Sequence, residues 1–427
     1  MQLIKYPAKS EWGKLLQRPY NDNADVLTAV KEIIRSVHEK GDEALIDYAK
    51  KFDGIELKNL QVTEEEINKA EELLDPRLRL SMQQAMANIE LFHGKQFQET
   101  EIIETMPGVQ CWRKALPIEK IGLYIPGGTA PLFSTVLMLG IPARLAGCKE
   151  IIICTPSDKD GKIHPAILYA AQLTGIRKIY KTGGAQAIAA MTYGTKTIPS
   201  VYKILGPGNR YVTAAKQLVQ MEGMAIDMPA GPSEVCVLAD ETANASFIAS
   251  DLLSQAEHGA DSQVVLISTS EEVTRLCLEQ INEQLNALPR KEAAMKALNN
   301  SKAIIVKDIS TAIQIVNEYA AEHLIIACGD AENIANKIIN AGSIFIGNYS
   351  PESVGDYASG TNHTLPTNGY AKAYSGVSID SFVKKITYQK LSRQGLERIG
   401  QIVIEMATAE GLEAHANAVR IRMNEKR

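Results

Sequence analysis

The sequence contains no CxxC pair, no run of basic residues, no apolar N-terminal leader and no Gly-x-Gly-x-x-Gly turn. Each absence removes a class of protein. The six cysteines, Cys111, Cys148, Cys154, Cys236, Cys277 and Cys328, stand apart, several inside apolar runs such as IIIC and VCVLA. That argues against a redox dithiol or a thiolate metal cage and fits reduced core thiols in a cytoplasmic protein. Lys and Arg are interspersed with Asp and Glu at a net charge of −5, so no stripe tracks a phosphate backbone and nucleic acid is not an expected partner. The opening MQLIKYPAKSEWGKLLQ has no continuous apolar core and does not read as a signal peptide. Residues 121–143 carry no charge, but Pro126, Pro131, Pro142 and the pair Gly127-Gly128 interrupt them. A lone lipid-facing helix does not tolerate that punctuation, so no membrane partner is expected.

What is present reads as α/β. Residues 1–115 form a mainly helical segment, with helix-period apolar positions over Ala24 to Phe52 and Glu64 to Phe92. Asn23 and Thr63 are N-cap candidates there, the latter with Glu66 at capping-box spacing. His38 and His93 sit among charged residues and are expected to be solvated. From 116 to 235, strands IGLYI, EIIIC, KIYK and VYKIL alternate with helices TAPLFSTVLMLGIPARLAG, HPAILYAAQLTG and AQAIAAMTYG, His164 opening the second. Alternation of this kind predicts a parallel, doubly wound sheet that binds ligands at its strand carboxyl ends. Gly127-Gly128, Gly183-Gly184 and Gly206-Pro207-Gly208 fall at those ends. GPGNRY, however, has Tyr211 where a dinucleotide fingerprint needs its third glycine, so nucleotide binding and plain tight connections both remain open. Residues 236–380 repeat the pattern with strands VCVLA, QVVLIST, KAIIVKD, HLIIAC and SIFIGN, and with helices between them that include AENIANKIINAG. The fold class is thus two incomplete Rossmann-like parallel-sheet domains with a helical N-terminal segment and a small helical C-terminal tail, 381–427. That tail is too small to bury a core alone and must dock on something.

Met228 to Gly259 runs from a Gly/Pro turn through a strand into an amphipathic helix with the stripe Ala249, Leu252, Leu253 and Ala256, and Gly259 as its C-cap. Gln255 and His258 project together from its final turn, either as two metal donors or with His258 as a cap near the helix dipole. Glu322-His323 stands where the helix STAIQIVNEYAAE meets the strand LIIAC, at a sheet edge. It reads as a structural junction or as a general acid–base pair titrating in two ranges. The long Gly/Pro/Ser/Asn-rich loop 350–369 carries Asp356, a metal carboxylate or an Asx-turn residue, and His363. His415 follows Glu410 on the C-terminal segment, where both would ordinarily be solvated.

The runs GLYIPGG, KTGGAQAIAA, GPGN.YV..AK, DMPAGPSEV, DLLSQAEHG, AAEHL, GDYASGTNHTLPT and AEGLEAHA, in that order and spanning the chain, resemble the histidinol dehydrogenase family. The resemblance implies a homodimeric, zinc-dependent cytoplasmic enzyme oxidising L-histidinol to L-histidine through a bound aldehyde with NAD. It implies metal ligands Gln255, His258, Asp356 and His415, the last from the partner's tail, and catalytic Glu322 and His323. Ser233, Glu410 and His363 become substrate contacts beside Gln255, His258, His323, Asp356 and His415, while Tyr124, Gln186 and Asn209 become NAD contacts. Imidazole nitrogen with amide and carboxylate oxygen suits Zn²⁺, or Mn²⁺ or Co²⁺ in its place. The rivals are a metal-dependent dehydrogenase of another amino alcohol and a non-catalytic two-domain small-molecule binder.

Overall fold

The computed structural model describes residues 1–19, 24–127, 131–228 and 231–424. In chain order the strands are β1 (Gln2–Lys5), β2 (Ile103–Met106), β3 (Val109–Pro117), β4 (Lys120–Tyr124), β5 (Glu150–Thr155), β6 (Lys178–Lys181) and β7 (Lys203–Leu205). Then follow β8 (Ala225–Ile226), β9 (Glu234–Ala239), β10 (Gln263–Ser268), β11 (Lys302–Ile305), β12 (His323–Ala327), β13 (Ser343–Ile346) and β14 (Val383–Leu391). Strands such as EVCVLA and QVVLIS are buried at every position, the mark of parallel strands covered by helices on both faces.

Two parallel sheets result, ordered β6-β5-β4-β7-β8 and β1-β11-β10-β9-β12-β13. In each, the chain builds outward on one side of its first central strand, then returns to the other. β7 pairs β4 opposite β5, and β12 pairs β9 opposite β10. Each sheet therefore has a switch point, where a crevice opens between diverging connections. Separate apolar clusters fill the space on each face, Leu123 and Leu139 lying in one and Val237 and Leu252 in another.

Several features differ from what the sequence suggested. Gln2–Lys5 belongs to no helix; it pairs with Lys302–Ile305 and covers an edge of the second sheet. The C-terminal tail opens with a nine-residue strand, β14, antiparallel to β3 along its length, so pairing rather than helix packing first docks it. Trp112 stacks on Tyr388 across that pair, with ring centroids 5.3 Å apart. Each N-terminal helical run is broken: Gly41, at φ +56°, ends Ala24–Lys40, and Pro76 starts Pro76–Gly94 after Glu64–Lys69. Thr63 caps as expected, its Oγ1 accepting from the Glu66 amide at 3.2 Å. Asn23 lies outside the described residues. His93 is fully buried, not solvated, with Nδ1 3.1 Å from Gln96 Oε1, because its face of the helix turns inward with Met82, Ala85 and Ile89. His38 is exposed and stacks on Tyr193. A helix at Lys291–Asn299 was not foreseen, and AENIANKIINAG is helical only over Ala331–Ala335.

The stretch 350–369 is not an open loop. It contains the helix Glu352–Tyr357 and buries Glu352, Asn362, Thr364 and Thr367. Asn362 Nδ2 donates to the Met138 carbonyl at 2.6 Å, tying this segment to the helix that follows β4.

Candidate active site

The helix Ala245–Ala256 forms because Asn244 Oδ1 caps the amides of Ser246 and Phe247 and because Ala249, Leu252, Leu253 and Ala256 bury one stripe. It ends earlier than expected, with Glu257 as C-cap in a right-handed conformation, so Gly259 is not a left-handed cap. The His258 amide donates to the Gln255 carbonyl at 3.2 Å, and this turn keeps the two side chains near one another. A crossover helix runs antiparallel to its strands. Its end therefore reaches the amino ends of the second sheet, where β9 begins at Glu234 and β12 at His323.

Glu322 and His323 stand at that end of β12, an interior strand with neighbours on both sides; they are not at a sheet edge as expected. Both are buried, 7% and 3% exposed, which leaves their charges little water. Glu322 Oε2 accepts from the Glu234 amide at 2.9 Å and lies 3.6 Å from His323 Nδ1. His323 Nδ1 is also 3.3 Å from the Glu234 carbonyl and 3.2 Å from Gln255 Nε2, while its Nε2 is 3.1 Å from Asp356 Oδ1. Burial opposes charge on this imidazole, but Glu322 and Asp356 outweigh it and hold the pKa well above its ordinary value. Burial raises the Glu322 carboxyl in turn, making it a stronger base than an exposed one. Burial pushes Asp356 upward too, yet its hydrogen bond with His323 wins and lowers it.

His363 closes the other side. Its Nδ1 donates to the Asp356 carbonyl at 2.9 Å, so in the neutral ring Nε2 accepts from Thr135 Oγ1 at 3.2 Å. Burial lowers the pKa of His363 and of His258, favouring the neutral rings that donate a lone pair. Asp356 and His323 are both felt at His258. Glu352, which the sequence reading passed over, is 1% exposed. Its Oε1 accepts from Ser254 Oγ at 2.5 Å, its Oε2 is buried without a hydrogen-bond partner, and burial lifts its pKa to about 8. Read as a helix, ESVGDY would have placed Glu352 and Asp356 one turn apart on a shared face.

Gln255, 1% exposed, leaves Oε1 buried without a hydrogen-bond partner. A buried amide oxygen in that condition costs stability unless something else accepts its lone pairs. With His258 and Asp356 close by, the oxygen and nitrogen donors fit a divalent cation of the zinc class. Among the described residues no three His, Cys, Asp or Glu side chains are gathered into such a site. For such a cation Gln255 would supply the extra oxygen, and one further donor would be needed. His415 is exposed on the helix Glu413–Asn424, which packs on Arg393–Ala409, and Glu410 is the exposed C-cap of the latter. Neither forms a hydrogen bond or ion pair with the cluster within this chain. Ser233 is half-buried, one residue before Glu234, and its carbonyl accepts from the Gln263 amide.

Tyr124, Gln186 and Asn209 come together at the switch point of the first sheet, lining an open cavity of about 1140 Å³ with Gly127, Gly184 and Asp53. Tyr124 ends β4 with its hydroxyl accepting from the Gly184 amide at 3.1 Å. Asn209 Oδ1 caps the helix Arg210–Met221 through the Tyr211 and Val212 amides. Pro131 lines this cavity, and Thr135, one turn further along, touches His363, so the two sites adjoin.

The fold and this geometry define an α/β enzyme built on two parallel sheets, with a buried carboxylate–imidazole centre beside an open cavity. The chain matches the histidinol dehydrogenase family over residues 16–423 and belongs to that family. It is 58% identical over 424 residues to a histidinol dehydrogenase of Bacteroides thetaiotaomicron, covering 99% of each chain. It is 50% identical to one of Xylella fastidiosa over 96% of each. The crystal structure of histidinol dehydrogenase from Elizabethkingia anophelis superposes with a TM-score of 0.97 at 56% identity, covering 99% of this chain and 98% of that one. Among the described residues no helix is long and apolar enough to cross a membrane.

Proposed function

We propose that this chain oxidises L-histidinol to L-histidine, with Glu322 and His323 as its acid–base pair, in a cytoplasmic homodimer whose two tails complete each other's sites. The observation that carries this is the convergence of Gln255, Glu322, His323, Asp356 and His363, far apart in sequence, on one buried point. NAD⁺ supplies the hydride acceptor, for which Tyr124, Gln186 and Asn209 line the cavity. Gln255, His258, Asp356 and the partner's His415 are the donors that would hold Zn²⁺, which when bound would supply an anchor for the imidazole and amine of histidinol.

His323 takes the hydroxyl proton as hydride leaves the carbinol carbon for one NAD⁺. His323 then gives up that proton to solvent; Glu322, fixed by the Glu234 amide, takes a proton from water as its oxygen adds to the aldehyde carbon, and His323 takes the hydrate's hydroxyl proton as the second hydride leaves for a second NAD⁺. Burial excludes bulk water, so the aldehyde stays between its two oxidations. Ser233, His363 and Glu410 hold the remaining polar groups of the substrate. The test is NADH formation, followed by absorbance, with histidinol and NAD⁺ before and after a chelator. Turnover that is abolished by chelation and restored by Zn²⁺ supports the reading. Absence of turnover with histidinol in the metal-loaded enzyme overturns it.

A further inference from the structure

Glu234 opens β9 and touches both members of the acid–base pair with its backbone alone: its amide donates to Glu322 Oε2 at 2.9 Å, and its carbonyl lies 3.3 Å from His323 Nδ1. The position of that peptide therefore sets the position of the pair. Its side chain, 2% exposed, points the other way and is gripped by Arg18, from a segment remote from the site in sequence. Arg18 Nε donates to Glu234 Oε1 and Nη2 to Oε2, each at 2.9 Å, which is the planar two-point fork that lysine cannot form.

The same guanidinium reaches the opposite end of the problem. Arg18 Nη2 also donates to the Tyr319 carbonyl at 2.7 Å, and the guanidinium carbon lies 4.0 Å from the Tyr319 ring centroid. Tyr319 immediately precedes Ala320, a non-glycine residue at φ +54° in the left-handed region. That turn delivers Glu322 and His323, and a strained turn persists only where its surroundings hold it. Glu234 Oε1 further accepts from the Asn368 amide at 2.8 Å, fixing the end of the segment that carries Asp356 and His363.

We propose that Arg18 and Glu234 are positioning residues for the reaction: a buried fork that locks β9, the Ala320 turn and the 350–369 segment so that Glu322 and His323 face one another. The inference rests on the assignment of Glu322 and His323 to chemistry. Neither Arg18 nor Glu234 has a side-chain atom hydrogen-bonded to the pair, so their influence passes through the backbone.

The experiment uses the full-length, zinc-loaded enzyme as the parent, Arg18→Lys and Glu234→Gln, with enzyme in excess over histidinol and saturating NAD⁺. At saturating enzyme concentration the first-order constant for NADH formation does not depend on the fraction of molecules that fold. A role confined to stability leaves it unchanged. Displacement of the pair is expected to lower the constant roughly 10- to 100-fold in Arg18→Lys, with the KM for NAD⁺ and the bound zinc close to those of the parent. Glu234→Gln keeps an oxygen for Asn368 but loses the charged fork, and is expected to fall in the same direction. Constants within about twofold of the parent in both variants overturn the proposal. A parent that does not oxidise histidinol instead refutes the functional reading itself, so the two failures are told apart.

Discussion

Lys216 and Asp227 form an ion pair in which neither side chain is more than 5% exposed, and both grip the backbone of a single residue, Gly206. Lys216 Nζ donates to the Gly206 carbonyl at 3.0 Å, and Asp227 Oδ2 accepts from the Gly206 amide at 2.8 Å. Gly206, at φ +129°, passes so close to β4 that a Cβ there would collide with the Tyr124 backbone carbonyl, so no other residue fits the turn. This clamp holds the GPGN turn against the floor of the cavity lined by Tyr124 and Asn209. Lys216→Met strands a buried carboxylate and is expected to cost about 3–5 kcal/mol. In Lys216→Met/Asp227→Asn the uncompensated charge is gone, and the remaining loss is the unpaired Gly206 carbonyl, about 1–3 kcal/mol. The double variant should therefore unfold at a higher urea concentration than Lys216→Met, although it carries one more substitution. Each variant should bind NAD⁺ more weakly by fluorescence titration, with histidinol and zinc binding little changed. Losses that simply add in the double variant, or NAD⁺ affinity equal to the parent's, would refute the reasoning.

His323→Asn should depress both alcohol and aldehyde oxidation, whereas Glu322→Gln should depress mainly the aldehyde step; single-turnover rates with each substrate decide, and an unchanged aldehyde rate in Glu322→Gln removes that role. A His258→Ala subunit mixed with a His415→Ala subunit should regain activity if sites are shared, since each mixed dimer then has one site free of both lesions; no recovery on mixing means self-contained subunits. Burial holds the His93 pKa below its ordinary 6.5, so as pH falls through 6.5 the unfolded chain takes up a proton that the folded one refuses, and stability drops until the folded pKa is passed. The acid limb of the melting temperature against pH should be shallower in His93→Gln, and an identical slope would exclude His93 as a contributor.

The alternation of apolar strands with helices was legible because parallel strands covered on both faces leave uninterrupted apolar runs such as VVLIS. The nearness of Gln255 and His258 was legible for a local reason, their spacing across one helix end. The helix end was not: Gly259 has the right identity for a cap, but the chain turns at Glu257 without needing a positive φ. β1 and β14 were missed because QLIK and VKKITYQKL take their conformation from partners far away in sequence, β11 and β3, and nothing local demands it. The burial of His93 escaped for a related reason: charged neighbours describe the outer faces of a helix, and only tertiary packing shows which face turns inward.

The division between legible and hidden residues follows the direction in which each acts. Glu322, His323, Asp356 and His363 are the side chains proposed to meet the substrate, and the chemistry available to them can be read from residue type. Glu234 acts on the pair with its amide and carbonyl, which every residue except proline possesses, so its identity betrays nothing about the site. What its side chain does is bind Arg18, and that pairing becomes visible only when the amino end of β9 and the segment after β1 meet. A buried ion pair of this kind seldom adds much stability over an apolar substitute. The value proposed for the two-point fork is geometric: it holds the Glu234 peptide, and through it the positions of Glu322 and His323, in one arrangement.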